Sequence, residues 1–184
     1  MVSFPNGSLK QRYENAASFA EFLRGATANA EMWQAMASRA RVPDDVLRDV
    51  ESIGGRWHLL VLAEDWCGDA INTLPVLAAL ADLASNLDLR ILPRDANPDL
   101  MDTHLTGTSR SVPVVILLDV NYAERAWWGP RPEPLQAWVL QAGRALTKED
   151  RYREVRRWHA RDRGATTLAE VVAALRGADT ARAA

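Results

Sequence analysis

Two short apolar runs separated by one helix-period stretch leave this chain few folds to choose from. The first, His58-Leu-Leu-Val-Leu-Ala63, is nearly continuous, the pattern of a strand buried on both faces. Leu74, Leu77, Leu80, Ala81 and Ala84 then recur on one helical face, and Leu87-Asp-Leu-Arg-Ile-Leu92 reads as a second strand. Strand, helix and strand in that order make a parallel crossover unit, which sets the end of the first strand at the mouth of a helix N-terminus. Cys67 falls at that mouth. A third strand, Val114–Leu118, begins just after Pro113, and a fourth, Ala123 to Trp128, follows a turn at Asn121. The expected class is α/β, with a central mixed sheet of about four strands and helices on both faces.

The flanks read as helices. Phe19, Phe22 and Leu23 share a face behind a capping-box pair, Ser18 and Glu21. Pro43 reads as a first-turn proline of a short helix carrying Asp44, Asp45, Val46, Leu47 and Val50, which Gly54-Gly55 ends. After Gly129-Pro-Arg-Pro132 come Leu135, Trp138, Val139 and Ala142 on one face. Thr167 and Glu170 have capping-box spacing ahead of Leu168, Val171, Val172 and Leu175. With 184 residues, 48% of them apolar and 25% charged, the chain is expected to be one domain over 1–184. Its core is placed at roughly 57–145, with helical extensions over 13–54 and 147–178.

Charge and cysteine usage exclude several classes. A net charge of −2 gives no global reason to bind nucleic acid or an acidic membrane. The arginines between Arg151 and Arg163 are interrupted by Glu154 and Asp162 and read as a solvated helix face. One cysteine permits no internal disulfide, and no apolar run approaches the roughly 20 residues of a membrane-spanning helix. The N-terminus carries no apolar signal-peptide core, so a cytoplasmic address is expected. His58, His104 and His159 are scattered without ligand spacing to Cys67 and read as packing or surface residues, so neither a metal nor another cofactor is expected.

The segment Val61-Leu-Ala-Glu-Asp-Trp-Cys-Gly-Asp-Ala70 resembles the strand-to-helix passage of thioredoxins, whose active site reads Trp-Cys-Gly-Pro-Cys. Asp95-Ala-Asn-Pro98 resembles the Asp-x-Asn-Pro that ends the next strand, and Arg110-Ser-Val-Pro113 the Arg-Gly-Ile-Pro before the third. Gly129 stands where thioredoxins have a glycine after the strand hairpin. More narrowly, Glu64–Ala70 with Arg94-Asp95 and Trp128–Pro132 is similar to a set of bacterial thioredoxin-like proteins. The resemblance covers roughly 57–145 and implies a thioredoxin-like fold with a cis bond before Pro113. It also exposes two departures: Ala70 holds the position of the resolving cysteine, and Val61 that of a buried aspartate thought to assist proton transfer.

These residues imply a monothiol thiol-disulfide oxidoreductase. Cys67 would attack the disulfide of a protein or low-molecular-weight partner, and an external thiol would resolve the product. The alternative is a redox-silent module that binds beside Pro113. An iron-sulfur carrier of the Cys-Gly-Phe-Ser type fits less well, since Asp69 and Ala70 depart from it, and no peroxidase motif leads into Cys67.

A helix N-terminus lowers a thiol pKa, whereas Glu64, Asp65 and Asp69 raise it, with Arg94, Arg110 or Arg131 available to offset them. Sequence does not give the sign of the sum, and an inert structural role for Cys67 stays open beside the reactive one. Asp69 either exchanges a proton near the sulfur or serves the helix dipole as a first-turn carboxylate. Trp66, Val112, Pro113, Trp128 and Arg131 are the expected substrate-binding positions. Trp66, Trp127 and Trp128 form either an apolar rim or part of the core.

Overall fold

Strand β1 (Trp57–Ala63) is buried along its whole length, because it lies inside the sheet and carries helices on both faces. The computed structural model describes residues 7–183. In it β1 pairs in parallel with β2 (Leu87–Pro93) and antiparallel with β3 (Val114–Leu118), and β3 pairs antiparallel with β4 (Glu124–Trp128). The order β2-β1-β3-β4 makes a mixed, four-stranded sheet.

Register fixes the two faces. Val61 pairs with Val115 and Val115 with Trp128, and directly paired side chains project to the same side. On that side Trp128 Nε1 donates to Glu170 of helix α9 (Ala165–Ala183) at 2.7 Å. His58, out of phase with Val61, projects to the other side, where its ring stands 4.9 Å from Tyr13 of α1 (Leu9–Asn15). Between β1 and β2 runs the crossover helix α5 (Gly68–Leu83), which packs against β2, α9 and α3 (Ala30–Arg39). The α/β class and thioredoxin-like topology expected from the sequence are therefore present.

The N-terminal helices are tied to the sheet by specific bonds. Ala17 and Ile91 exchange two backbone hydrogen bonds, Ala17 N to Ile91 O at 3.0 Å and the reverse at 2.8 Å, along the free side of β2. Arg12, 4% exposed, donates to Asn97 Oδ1 at 2.7 Å and pairs with Asp99 at 2.5 Å just before and inside α6 (Pro98–Met101). The Ser18–Glu21 capping box opens α2 (Phe19–Gly25) as expected.

Three local expectations need correction. Pro43 is the N-cap of α4 (Asp44–Glu51), not a residue of its first turn. The helix after Pro132, α7 (Glu133–Leu140), stops before Ala142, which lies in a 3-10 turn (142–145) because Gln141 leaves helical geometry. The Thr167–Glu170 pair is not a capping box. Helix α8 (Lys148–Asp162) ends at Arg163 and Gly164, both at positive φ, and α9 starts at once at Ala165. Thr167 is thus inside the helix and fully buried, and Glu170 is spent on Trp128 and on the backbone N–H of Glu133 at 2.8 Å. No helix among the described residues is long and apolar enough to cross a membrane.

Candidate thiol site

Cys67 is the N-cap of α5, where β1 passes into the crossover helix, and is 8% exposed. Its thiol donates to the carbonyl of Val112 at 3.2 Å, and the Val112–Pro113 peptide bond is cis. The N–H groups of Asp69 and Ala70 point toward the sulfur and favour the thiolate without closing a cap hydrogen bond. Burial outweighs them and pushes the thiol above its ordinary range. Asp69 adds to that rise, and Arg131 opposes it.

Of the three carboxylates beside the cysteine, two are occupied elsewhere. Glu64 Oε1 accepts the backbone N–H of Asp95 at 2.8 Å. Asp65 Oδ2 accepts those of Thr27 and Ala28, both at 2.8 Å, while its carbonyl takes the indole N–H of Trp33 at 2.8 Å. Burial works against the Asp65 anion, yet those amides hold its carboxyl below the usual range. Of the three carboxylates, Asp69 is the one whose charge acts on the sulfur.

Asp69 is 7% exposed and turns inward from the first turn of α5. Its Oδ2 meets Arg131 at 2.6 Å and its Oδ1 meets His159 Nε2 at 3.3 Å. A simple dipole role is therefore incomplete: the buried carboxylate pairs with the half-buried Arg131 and meets a histidine from α8. His159 is 4% exposed and faces the site neighbourhood, whereas sequence spacing made it a packing or surface residue. A signal existed. In an otherwise charged helix, Val155, Trp158 and His159 fall at i, i+3 and i+4, the spacing of an inward face, and Val155 and His159 are the buried residues of α8.

A pocket of about 410 Å³ opens over the thiol. Trp66, Cys67, Asp69, Val112 and Arg131 line it, as the sequence reading grouped them, joined by Arg156 of α8. Neither Pro113 nor Trp128 is on this lining. Trp128 is 8% exposed beneath α9, so it belongs to the core and is withdrawn from the expected binding residues. Trp127 packs edge-on against His104, away from the thiol, which leaves Trp66, 50% exposed, as the one tryptophan of the rim. Arg94 and Arg110 line the pocket but pair with Asp95 and Asp102, so of the three arginines Arg131 is the one that offsets charge at the sulfur. His58 stacks on Tyr122, and His104 Nε2 meets Glu124 at 3.0 Å. Among the described residues, no group of three or more His, Cys, Asp or Glu is placed to hold a metal ion.

Gly129, just past β4, packs against the backbone of Pro113. Its φ is 131°, and a Cβ there would lie 2.2 Å from the Pro113 carbonyl oxygen. Gly129→Ala must therefore push Pro113, and with it the Val112 acceptor of the thiol, away from β4. A stability loss of about 1–3 kcal/mol is expected from the backbone strain, measured as a lower urea midpoint. An unchanged midpoint would refute the close approach.

A thiol at the strand-to-helix passage, a cis bond before Pro113 and a crossover sheet agree with the family comparison, in which a model described as thioredoxin matches residues 16–156. The chain belongs to the thioredoxin family. This match reaches beyond 57–145 on both sides and so includes α2, α3, α4 and half of α8. A crystal structure of a protein of unknown function from Pseudomonas aeruginosa superposes with a TM-score of 0.72 at 23% identity, covering 94% of this thioredoxin-family chain and 99% of the other. An HIV epitope-scaffold protein gives 0.71 at 20% identity, with 93% and 99% covered. At these identities the likeness is one of fold. No match was found among curated proteins.

Proposed function

We propose that this thioredoxin family member is a one-cysteine thiol-disulfide oxidoreductase. The observation that carries the reading is the position of Cys67: capping α5, facing a pocket and hydrogen-bonded to the carbonyl before Pro113. In the exchange the thiol gives its proton to water, and the thiolate attacks one sulfur of a substrate disulfide. The Cys67–S bond forms as the S–S bond breaks, and the other sulfur leaves as a thiolate. Ala70 supplies no second sulfur, so a thiol from outside attacks the substrate sulfur of the mixed disulfide. That step returns Cys67 as thiolate and releases a new disulfide, leaving the protein unchanged in oxidation state.

The second reading, a redox-silent binding module, is favoured by one observation: Cys67 is buried, which pushes its thiol above the ordinary range and disfavours the nucleophilic thiolate. The rate at which Cys67 is taken up by an uncharged disulfide, followed from about pH 6 to pH 11, separates the two. The exchange reading predicts a single mixed disulfide at Cys67, absent from Cys67→Ser, formed at a rate that climbs with pH past 9.0, the ordinary thiol value. No mixed disulfide at any pH, with Cys67→Ser keeping its partner binding, would leave the binding module.

A further inference from the structure

The walls of the thiol pocket are cationic. Arg94 follows β2, Arg110 precedes the cis bond, Arg131 precedes α7 and Arg156 comes from α8, so four separate segments each bring an arginine to one space. Asp69 is the only carboxylate on the lining, and Arg131 and His159 already hold it. The counter-ions of the others stand outside the pocket in water. Asp95, the partner of Arg94, is 68% exposed, and Asp102, the partner of Arg110, is 49% exposed. Arg110 holds Asp102 through two bonds at 2.7 Å and Arg94 is 18% exposed, so these two arginines reach an anion in the pocket with their charge partly shared. No ion pair or hydrogen bond of the Arg156 side chain is seen among the described residues, although its neighbours Arg153 and Arg157 pair with Asp150 and Glu154. Arg94 lies 5.1 Å over the Trp66 ring, which fixes its plane at the pocket mouth.

The volume, about 410 Å³, is that of a small-molecule site. We propose that this pocket selects a low-molecular-weight disulfide carrying carboxylate groups, its sulfur directed at Cys67 and its carboxylates at Arg156 and the Arg94–Arg110 wall. The proposal rests on the exchange reading for its sulfur chemistry, but the charge preference stands on the arginines alone. Arg156 is then the specificity-determining residue, because its charge is not shared with a neighbour seen here.

The test compares three disulfides of similar size: dithiodipropionate (anionic), hydroxyethyl disulfide (neutral) and cystamine (cationic). Mixed-disulfide formation at Cys67 is measured by mass at low and high salt, each rate divided by the rate with the same chain unfolded in urea. The expected result is an anionic rate on the order of tenfold above the neutral one at low salt, with the cationic rate lowest and the spread collapsing in high salt. Arg156→Gln should reduce the anionic-to-neutral ratio, while Arg153→Gln, outside the pocket, should leave it. If the neutral reagent reacts and the anionic one is no faster, this proposal falls and the exchange reading stands. If none reacts, the exchange reading falls by itself, and calorimetry decides the pocket with two unreactive thioethers, thiodipropionate and thiodipropanol. Binding of the dicarboxylate in preference to the diol supports the proposal, and equal or no binding overturns it.

Discussion

Asp69→Asn is expected to raise the reactivity of Cys67 at neutral pH and to weaken the fold that carries it. Burial and the Asp69 charge both raise the thiol pKa, and Arg131 lowers it. Removing the carboxylate charge takes away one of the two raising causes and releases Arg131 from its 2.6 Å partner to face the sulfur. A change of about 1.4 kcal/mol in that balance makes the thiolate about tenfold more abundant below its pKa. The alkylation profile should move to lower pH accordingly. The cost is a half-buried guanidinium left without its counter-charge, about 1–3 kcal/mol, below that of a fully buried broken pair because Arg131 is 19% exposed and keeps Gln136.

Arg131→Gln breaks the same pair but removes the cation that favours the thiolate, so its profile should move to higher pH. This opposition is the decisive control. Loosening the site would expose Cys67 in both variants and shift both profiles the same way. If both move down, charge is not the cause; if neither moves, Asp69 and Arg131 do not act on the sulfur.

Trp33→Ala should produce the largest loss of stability. Trp33 is fully buried in α3, with Phe19 and Phe22 of α2 set edge-on to its ring at 6.4 and 5.0 Å. Truncating such a side chain costs about 3–5 kcal/mol. Its indole N–H also holds the carbonyl of Asp65, two residues before the thiol. Trp33→Phe separates the two contributions: it keeps an aromatic ring in the core and loses the hydrogen bond, for about 1 kcal/mol. Urea midpoints of the three proteins check the order, and a Trp33→Ala protein as stable as Trp33→Phe would show that packing around this residue is not what joins α3 to the site.

The fold was legible where burial dictates pattern. A strand flanked by two others and covered on both faces is apolar along its buried length, and Leu59–Ala63 is; the crossover and the place of Cys67 follow from that run. The site was legible in part, through the thioredoxin-like residues at Trp66, Cys67, Val112 and Arg131. What local sequence did not carry was how charges pair across long separations. Glu64, Asp65 and Asp69 look alike beside the cysteine, yet their partners lie 31, 37 and 90 residues away, at Asp95, Ala28 and His159. Those partners decide which carboxylate acts on the sulfur. The Thr167–Glu170 spacing failed for a related reason. Capping-box chemistry requires a free helix start, and the left-handed Arg163-Gly164 pair starts α9 three residues earlier, with Gly164 close against Val76 of α5.

His159 and Glu170 give the fold an order of completion. A chain made from its N-terminus releases β1, α5 and the whole sheet while the last two helices are still to come. Until they dock, the Asp69 carboxylate has no histidine beside it and the Trp128 indole has no acceptor from α9. Docking of the C-terminal helices is therefore the step that completes the surroundings of Asp69 and Trp128.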